Sequence, residues 1–151
     1  MWKAFVALGA STLLLAGCVS NAPAPATQAM SSATATTAQL ASGKAGLYVY
    51  RDGMATTIDN NITLDGQCLG QSKKGGYFFI ELPAGKHKLE TIALFKQNVV
   101  DLDMQAGKNY YVRHYLQFHM VASYPSLEVM SEDKARSAVA KLKQLENGNC
   151  K

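Results

Sequence analysis

The sequence lacks the short motifs that mark well-known catalytic sites. It contains no G-x-S-x-G, no H-E-x-x-H and no glycine-rich phosphate loop. A metal site usually needs three or four ligands, and the chain has three histidines, of which His87 belongs to a turn. His114 and His119 would point to opposite faces of one continuous strand. Asp101 and Asp103 share a strand face, which equally fits the exposed side of a half-buried strand. We therefore predict no catalytic residue, no metal site and no cofactor.

Long apolar runs and concentrated charge of one sign are also missing. The apolar stretch from Ala4 to Ala16 falls well short of the ~20 residues that a helix needs to cross a membrane. The chain carries 15 Lys+Arg against 11 Asp+Glu, and Lys73-Lys74 is the only adjacent basic pair inside the domain. A nucleic-acid binder would gather positive charge on one face or one helix. Scattered charge is instead typical of a solvated surface, so we expect no nucleic-acid partner.

The first twenty residues have the anatomy of a signal peptide, with Lys3 ahead of the apolar stretch and small residues after it. Leu15-Ala16-Gly17-Cys18 matches the lipobox of bacterial lipoproteins at every position. This similarity implies that residues 1–17 are removed and that Cys18 begins a triacylated chain. Several acyl chains hold a protein to a membrane far more firmly than one does. The alternative is an ordinary signal peptide, cut after the Ala22-Pro23-Ala24 stretch, with Cys18 incidental.

The residues after Cys18 bear on destination and on tethering. In bacteria with two membranes, an aspartate directly after the acylated cysteine favours the inner membrane, whereas Val19 and Ser20 stand here. We therefore expect anchoring at the outer membrane with the domain facing the periplasm, if the organism has two membranes. Residues 18–45 are rich in Ala, Ser, Thr and Pro and carry no charge before Lys44. Such a composition buries too little apolar surface to become ordered, which predicts a disordered tether.

From Gly46 onward the pattern changes to short runs of alternating apolar and polar residues, which is the period of β-strands. Asp65-Gly66 favours a tight hairpin, because glycine tolerates the positive φ that the turn requires. No helical pattern separates the runs, which disfavours a parallel sheet. We predict that residues 46–130 form a mainly β domain, a small antiparallel β-sandwich of immunoglobulin-like type or a partly open barrel. The seven predicted strands are Leu47–Arg51, Asn61–Leu64, Gln67–Gln71, Tyr77–Leu82, His87–Leu94, Asn98–Met104 and Asn109–Phe118.

The last segment, residues 131–151, breaks the strand rhythm. Ser131 is suited to cap a helix, and Glu132 and Asp133 suit its positive N-terminal end. Apolar residues then recur at helical spacing until Gly148. They are Ala135, Ala138, Val139, Leu142 and Leu145. We predict a C-terminal amphipathic helix that packs this stripe on a sheet face or open edge; the alternative is a partner-binding helix.

Six aromatic residues fall into three pairs spaced two or four positions apart, so that each pair faces one side of its strand. The pairs are Tyr48 with Tyr50, Tyr77 with Phe79, and Tyr111 with Tyr115. If their faces coincide, they form an aromatic platform suited to binding protein or glycan. The alternative, which we favour, is a second core layer beneath the terminal helix, because aromatic stripes in small sandwiches are usually core.

Two cysteines remain once Cys18 is acylated. Cys68 and Cys150 would meet an oxidising compartment in an exported chain, and we favour a disulfide between them. Such a bond would tie the tail beyond the helix to the third predicted strand. The alternative is a buried Cys68 with a free Cys150.

Several short motifs, in a fixed order behind the lipobox, resemble a known family. The motifs are Leu64-Asp65-Gly66, Gly76-Tyr77-Phe78, Leu82-Pro83-Ala84-Gly85-Lys86-His87 and Ala106-Gly107-Lys108-Asn109-Tyr110-Tyr111-Val112. Over roughly Gly46 to Glu132 the chain resembles the bacterial lipoprotein family known as domain of unknown function 2846. Its LPxGKH turn and DG hairpin are also similar to the PEGA class of small extracytoplasmic β-sandwich modules. The family usually has a second proline where Ala84 stands.

The resemblance implies a fold and a location but no activity, because the family carries no established one. We expect a non-catalytic periplasmic module for binding or scaffolding. Its expected partners are a membrane, through the N-terminal lipid, and another envelope protein or a glycan. The alternative is an envelope enzyme, or an accessory to one, that acts on cell-wall or glycan material with His87 or His114 as the acid–base residue.

Overall fold

The computed structural model describes residues 39–53, 58–93, 96–118 and 123–151. Cys18, His119, the predicted signal peptide and most of the predicted tether lie outside these described residues. Within them the chain forms nine strands and one helix. These are β1 Lys44–Arg51, β2 Asn60–Leu64, β3 Gln67–Ser72, β4 Gly76–Pro83, β5 Gly85–Ala93, β6 Lys96–Met104, β7 Asn109–Phe118, β8 Ser123–Met130, α1 Glu132–Val139 and β9 Lys143–Gln144.

The strands form two sheets, as the predicted β-sandwich requires. Sheet A has five strands in the order β8-β7-β1-β4-β9, and sheet B has four in the order β3-β2-β5-β6. Two pairings, β1 with β7 and β4 with β9, are parallel, so the predicted antiparallel sandwich includes two parallel neighbours. The connection from β1 to β7 runs through the strands of both sheets rather than through a helix. Alternation within a strand reveals its buried face and carries no information about the direction of its neighbours.

The main core lies between the two sheets and consists of the inward residues of alternating strands. Leu47 and Val49 of β1 face Ile62 of β2 and Leu89 of β5, and all four are buried. Phe78 and Val112 extend this layer along the neighbouring strands of sheet A. Each such side chain contributes roughly 1.5–3 kcal/mol when it leaves water, so this layer is a major source of the stability of the domain. The Asp65-Gly66 hairpin between β2 and β3 has positive φ at both residues, as predicted.

Strand β8 was not among the predicted strands, and its sequence contains a proline. Pro125 pairs with Leu116 of β7 at the edge of sheet A, where a missing N–H costs no ladder hydrogen bond. Two residues further on, the N–H of Leu127 points away from β7 and donates to Oδ1 of Asn98 at 2.9 Å. A proline and a side-chain acceptor therefore cover part of this edge, which limits pairing with a strand from another molecule.

The terminal helix is shorter than predicted. It ends at Val139, and the expected cap residue Ser131 is extended and makes no side-chain capping hydrogen bond. The chain then joins sheet A as β9: the N–H of Lys143 donates to the Gly75 carbonyl at 2.9 Å, and that of Leu145 to the Tyr77 carbonyl at 2.8 Å. Pairing with the open edge of β4 thus satisfies backbone groups that a longer helix would have satisfied internally. The apolar residues of the predicted stripe are still used, but on two segments.

The C-terminal tail, residues 143–151, closes the side of the sandwich between β4 and β3. After β9 has paired with β4, the N–H of Gly148 donates to the Leu69 carbonyl of β3 at 2.8 Å. Cys150 then forms a disulfide with Cys68, with an S–S distance of 2.02 Å. The tail is therefore bonded to the edge strands of both sheets.

Close packing under the tail depends on a glycine. Gly70 has a φ of 149°, and a β-carbon at this position would lie 2.7 Å from the ring of Phe78 and 3.3 Å from the carbonyl oxygen of Glu146. Moving either the buried ring of Phe78 or the hydrogen-bonded backbone of the tail would cost packing or hydrogen-bond energy. Residue 70 is thus a point at which β3, β4 and the tail approach one another too closely for any side chain.

We predict that Gly70→Ala lowers the free energy of unfolding by about 2 kcal/mol more than Gly85→Ala, because overpacking costs about 1–3 kcal/mol. Gly85 is the matched control: its φ of 140° imposes similar backbone strain, but a β-carbon there meets nothing within 4 Å. Urea denaturation of the two variants and the parent measures the difference. Equal losses would show that backbone strain alone, and not the contact with Phe78 and the tail, requires glycine.

Candidate functional site

The predicted aromatic residues lie on the outer face of sheet A. The register places Tyr48 beside both Phe79 and Tyr111, so the three strands β4, β1 and β7 align their rings in one row. The rings of Tyr48 and Tyr111 stack with centroids 4.9 Å apart, and those of Tyr48 and Phe79 are 4.6 Å apart. Tyr50 lies opposite Tyr77 in the same layer. The spacing predicted that each pair faces one side of its strand and left open whether these sides coincide; the register shows that they do.

This layer is covered rather than exposed. Tyr48, Tyr50, Tyr77 and Tyr111 are only 2–7% exposed, because α1 and the segment after it pack over them. Their covering residues are Met130, Ala135, Ala138, Val139 and Leu142. The reading of this layer as an exposed binding platform is thus corrected, and the alternative of a second core beneath the helix describes it. Burial raises the pKa of Tyr111 to about 12, so its phenol stays neutral.

Tyr115 lies apart from that layer, further along β7. It is half-buried, and the guanidinium of Arg113 sits 5.7 Å from its ring centroid. Arg113 is itself bound to Asp52, with Nε 2.6 Å from Oδ1. Tyr115 therefore belongs to a cation–π and ion-pair group at the rim of sheet A and not to a continuous platform with the other five rings.

His87 and Asp65 form a clamp between two turns. Nδ1 of His87 lies 2.7 Å from Oδ2 of Asp65, and its Nε2 lies 2.9 Å from the carbonyl oxygen of Pro83. The other carboxylate oxygen of Asp65 accepts the N–H of Lys88 at 2.8 Å, and the N–H of Asp65 donates to the Lys88 carbonyl at 2.8 Å. The LPxGKH turn and the DG hairpin, which are separate motifs in the sequence, are therefore joined in space.

The clamp favours the charged forms of both residues. Burial works to lower the pKa of His87, but the hydrogen bonds to Asp65 and Pro83 outweigh it and raise the pKa above its ordinary value. For Asp65, burial works to raise the pKa, and the bonds from His87 and Lys88 hold it below its ordinary value. Because both neighbours of the ring are acceptors, both ring nitrogens donate when His87 is protonated. Neither nitrogen is left for proton transfer to a substrate.

His114 lies in the core and is fully buried. Its Nδ1 is 2.8 Å from Oγ of Ser72, while its Nε2 has no hydrogen-bond partner among the described residues. Arg51 lies nearby, also buried, and donates through Nη1 to the carbonyl of Ile58 at 2.7 Å and to that of Ser72 at 3.2 Å. Burial, together with the Arg51 cation, lowers the pKa of His114 to about 3. His114 is therefore a neutral core histidine beyond the reach of solvent.

Asp101 and Asp103 occupy the solvent face of β6, which agrees with the interpretation of their spacing as the exposed side of a half-buried strand. They pair in register with Lys88 and Lys86 across the strand boundary, while Leu102 between them is buried. Alternating lysines and aspartates on neighbouring strands form a mixed-charge surface. Together with His87 and Asp65 they line an open cleft of about 370 Å³.

The fold also gathers lysines that the sequence had left scattered. Lys73 and Lys74 lie in the turn between β3 and β4, and Lys141 and Lys143 follow α1; all four are exposed. The pairing of Lys143 with Gly76 sets these two segments side by side. We call the four lysines the basic pole. Sequence reasoning placed Lys141 and Lys143 on a helix, and no local signal indicates the strand pairing that moves them to this turn.

A small cleft adjoins the basic pole. It has a volume of about 250 Å³, and most of its lining side chains are polar. They are Gln71, Lys73, Gln144, Leu145, Glu146 and Asn149. The three amides both donate and accept hydrogen bonds.

Two further findings apply to the described part of the chain. No helix there is long and apolar enough to span a membrane. The same residues hold no group of three or more His, Cys, Asp or Glu side chains placed to bind a metal ion.

Comparison with known proteins gives a family and a relative. A family model described as "Protein of unknown function (DUF2846)" matches residues 41–126, which run from just before β1 into β8. An uncharacterized protein of Haemophilus influenzae (strain ATCC 51907 / DSM 11121 / KW20 / Rd) is 31% identical over 101 residues, which are 66% of this chain and 60% of that protein. The chain thus matches less than two thirds of that relative's length. No solved structure matches.

We predict that the clamp makes folding stability depend on pH in two windows. The contribution of His87 to the free energy of unfolding is fully present below its unfolded pKa of about 6.5, and it is lost as pH rises through its higher folded pKa. That of Asp65 is present above about pH 4 and is lost as pH falls through its lower folded pKa. Between pH 6 and pH 8 the parent should lose on the order of 1 kcal/mol relative to a variant without His87, a modest value because Asp65 is partly exposed and screened. Buried His114, with its lowered pKa, makes stability rise with pH over the same range, but it is common to both proteins and cancels in this difference.

Denaturant midpoints of the parent and of His87→Gln at pH 6, 7 and 8 measure this loss. Glutamine keeps a donor but does not titrate, so the stability advantage of the parent over the variant should shrink as pH rises from 6 to 8. A difference in stability that stays constant over this range would contradict the charged clamp.

Proposed function

Because this chain belongs to the family described as "Protein of unknown function (DUF2846)", its role has to be argued from its own residues. We propose that it is a lipid-anchored protein of the bacterial cell envelope. In this proposal Cys18 carries the lipid, and the β-sandwich binds or positions another envelope protein or a glycan without catalysing a reaction.

The observation that carries this proposal is the disulfide between Cys68 and Cys150. Disulfides persist in oxidising compartments and are rare in the cytosol, so a structural disulfide favours export. This bond fastens the tail that closes the sandwich, and the tail pairs with both sheets through its backbone. The lipobox at Leu15-Ala16-Gly17-Cys18 supports the same destination independently. With Val19 and Ser20 after the cysteine, the proposed membrane is the outer one in an organism that has two.

The environments of His87 and His114 support a non-catalytic role. Both were the acid–base candidates of an enzyme, and an acid or base must reach the proton that it transfers. Both nitrogens of His87 face acceptors within the domain, and His114 is buried with a strongly lowered pKa. Each histidine therefore has a structural explanation, as a clamp between turns and as a neutral core residue.

We predict that the mature protein begins at Cys18 and carries diacylglycerol on its sulfur and a third acyl chain on its amino group. Intact-mass spectrometry of the protein purified from membranes measures both. Cys18→Ala should remain uncut and lack the lipid mass. An unlipidated mature chain that begins after the Ala22-Pro23-Ala24 stretch would contradict the anchor.

The binding role is tested with the same pair of proteins. Crosslinking in native envelopes, followed by identification of the captured material, should give a partner for the lipidated protein that Cys18→Ala does not reach. The same partner at the same yield from both forms would mean that anchoring does not direct the interaction. Turnover of envelope material by the purified lipidated protein, abolished by His87→Gln, would overturn the non-catalytic proposal.

We predict that the lipidated protein contains no free thiol until it is reduced, and two afterwards. The bond closes a loop with a sequence separation of 82 residues, for which loss of the crosslink costs roughly 2–4 kcal/mol. Cys68→Ser/Cys150→Ser should therefore unfold at lower urea concentration, with a midpoint that reductant does not change. Two thiols counted without reductant would contradict the disulfide and remove the main support for export.

A further inference from the structure

The basic pole is built by long-range pairing. The N–H of Gly76 donates to the Lys73 carbonyl at 3.1 Å, which closes the turn that carries Lys73 and Lys74. The N–H of Lys143 donates to the Gly75 carbonyl at 2.9 Å, which brings the segment after α1 onto the same turn. Two pairs of exposed lysines from distant parts of the chain are thereby held on adjoining backbone segments. Their arrangement does not depend on the lysine side chains themselves.

Little opposite charge is available to neutralise this pole. Within the described ranges, no ion pair involves any of the four lysines, although four other ion pairs do form there. Asp52, which follows β1 at this end of sheet A, is bound by Arg113 at 2.6 Å. Glu146 is the acidic member of the lining of the adjoining cleft. A surplus of positive charge therefore remains at the pole, and it attracts an anionic partner.

The pole lies at the opposite end of β1 from the entry of the chain. The segment before β1 contacts the other end: the N–H of Ala84 donates to the Gly43 carbonyl at 3.1 Å, and that of Ala41 to Oε2 of Glu81 at 3.4 Å. Strand β1 then runs from Lys44 to Arg51, a rise of about 25 Å. The chain therefore enters the domain at the end away from the basic pole.

We propose that the basic pole and its cleft bind a carboxylate-bearing glycan of the cell envelope. This inference rests on the proposed function and names the partner class. The lysines supply charge for the carboxylates, and Gln71, Gln144 and Asn149 supply amide donors and acceptors for sugar hydroxyls and amides. The cleft, at about 250 Å³, is smaller than the 300–1,000 Å³ typical of sites for drug-sized ligands. A single sugar residue is the ligand that such a cleft suits.

The lining of the cleft favours a glycan over a protein partner. A protein interface usually has an apolar centre with aromatic anchors, whereas the cleft offers Leu145 as its apolar side chain and the tyrosine layer is covered by α1. Anionic lipid headgroups are the other anionic partner, and the vesicles in the test distinguish them from a glycan. Both alternatives are outcomes of the test.

The test measures binding of the full lipidated protein, in neutral detergent, to polygalacturonate, in which every sugar carries a carboxylate. The variant is Lys73→Gln/Lys143→Gln, one lysine from each segment of the pole. The matched control is Lys86→Gln/Lys108→Gln, which removes the same charge from exposed lysines at the opposite end. Circular dichroism of each variant checks that the fold is retained. We expect about tenfold weaker binding for the first variant, a shallower dependence on salt, and a change of less than twofold for the control.

Four results would overturn the proposal: equal losses in both variants, no loss in either, equal binding to neutral dextran, or tighter binding to poly-L-glutamate or to phosphatidylglycerol vesicles than to polygalacturonate. Equal losses would mean that net charge acts without a site. Preference for the polypeptide or the vesicles would assign the pole to a protein or a lipid surface. The mass of the N-terminus is read separately, so an unlipidated chain would refute the anchor without changing this outcome.

Discussion

The arrangement of the domain depends on the backbone pairing of its C-terminal tail. A two-sheet sandwich leaves the polar groups of its edge strands unpaired, and β4 and β3 are neighbouring edges on one side. The tail pairs first with β4 and then with β3, and the disulfide to Cys68 fixes its end. Because the chain after α1 pairs with β4, the helix ends at Val139. The same pairing places Leu145 over Gly76 and brings the backbone of Lys143 next to the turn that carries Lys73. The covered tyrosine layer and the exposed lysines are two consequences of one pairing.

The sequence predicted the parts of the fold that local chemistry determines. All seven predicted strands are present within a few residues, because each combines alternation with a glycine turn. Strand β8 was missed; it contains Pro125, which a strand tolerates at the edge of a sheet. The end of the helix was wrong because the competing partner, the free edge of β4, lies more than sixty residues away in the chain. Parallel neighbours were missed for a similar reason.

The candidate sites also divide into those that local sequence indicates and those that depend on contacts between distant segments. The spacing put each aromatic pair on one side of its strand, and Asp101 with Asp103 on one side of theirs, since a strand alternates its side chains. Whether the aromatic sides coincide depends on the register of the strands. It did not indicate that His87 meets Asp65, because that contact joins two turns on different hairpins. The basic pole was wholly unforeseen: scattered lysines become a cluster only when β9 forms. Surfaces built from long-range pairing leave no trace in a single sequence, whereas those built from one strand do.

The position of β1 has a consequence for how the domain assembles. It is the first strand of the chain and yet lies at the centre of sheet A, between β4 and the much later β7. Contacts between distant segments slow folding, since a long loop must close before they form. A chain delivered N-terminus first would therefore hold one edge of β1 unpaired until β7 had emerged. The interval between the emergence of β1 and that of β7 is when a nascent chain of this kind would benefit from a chaperone.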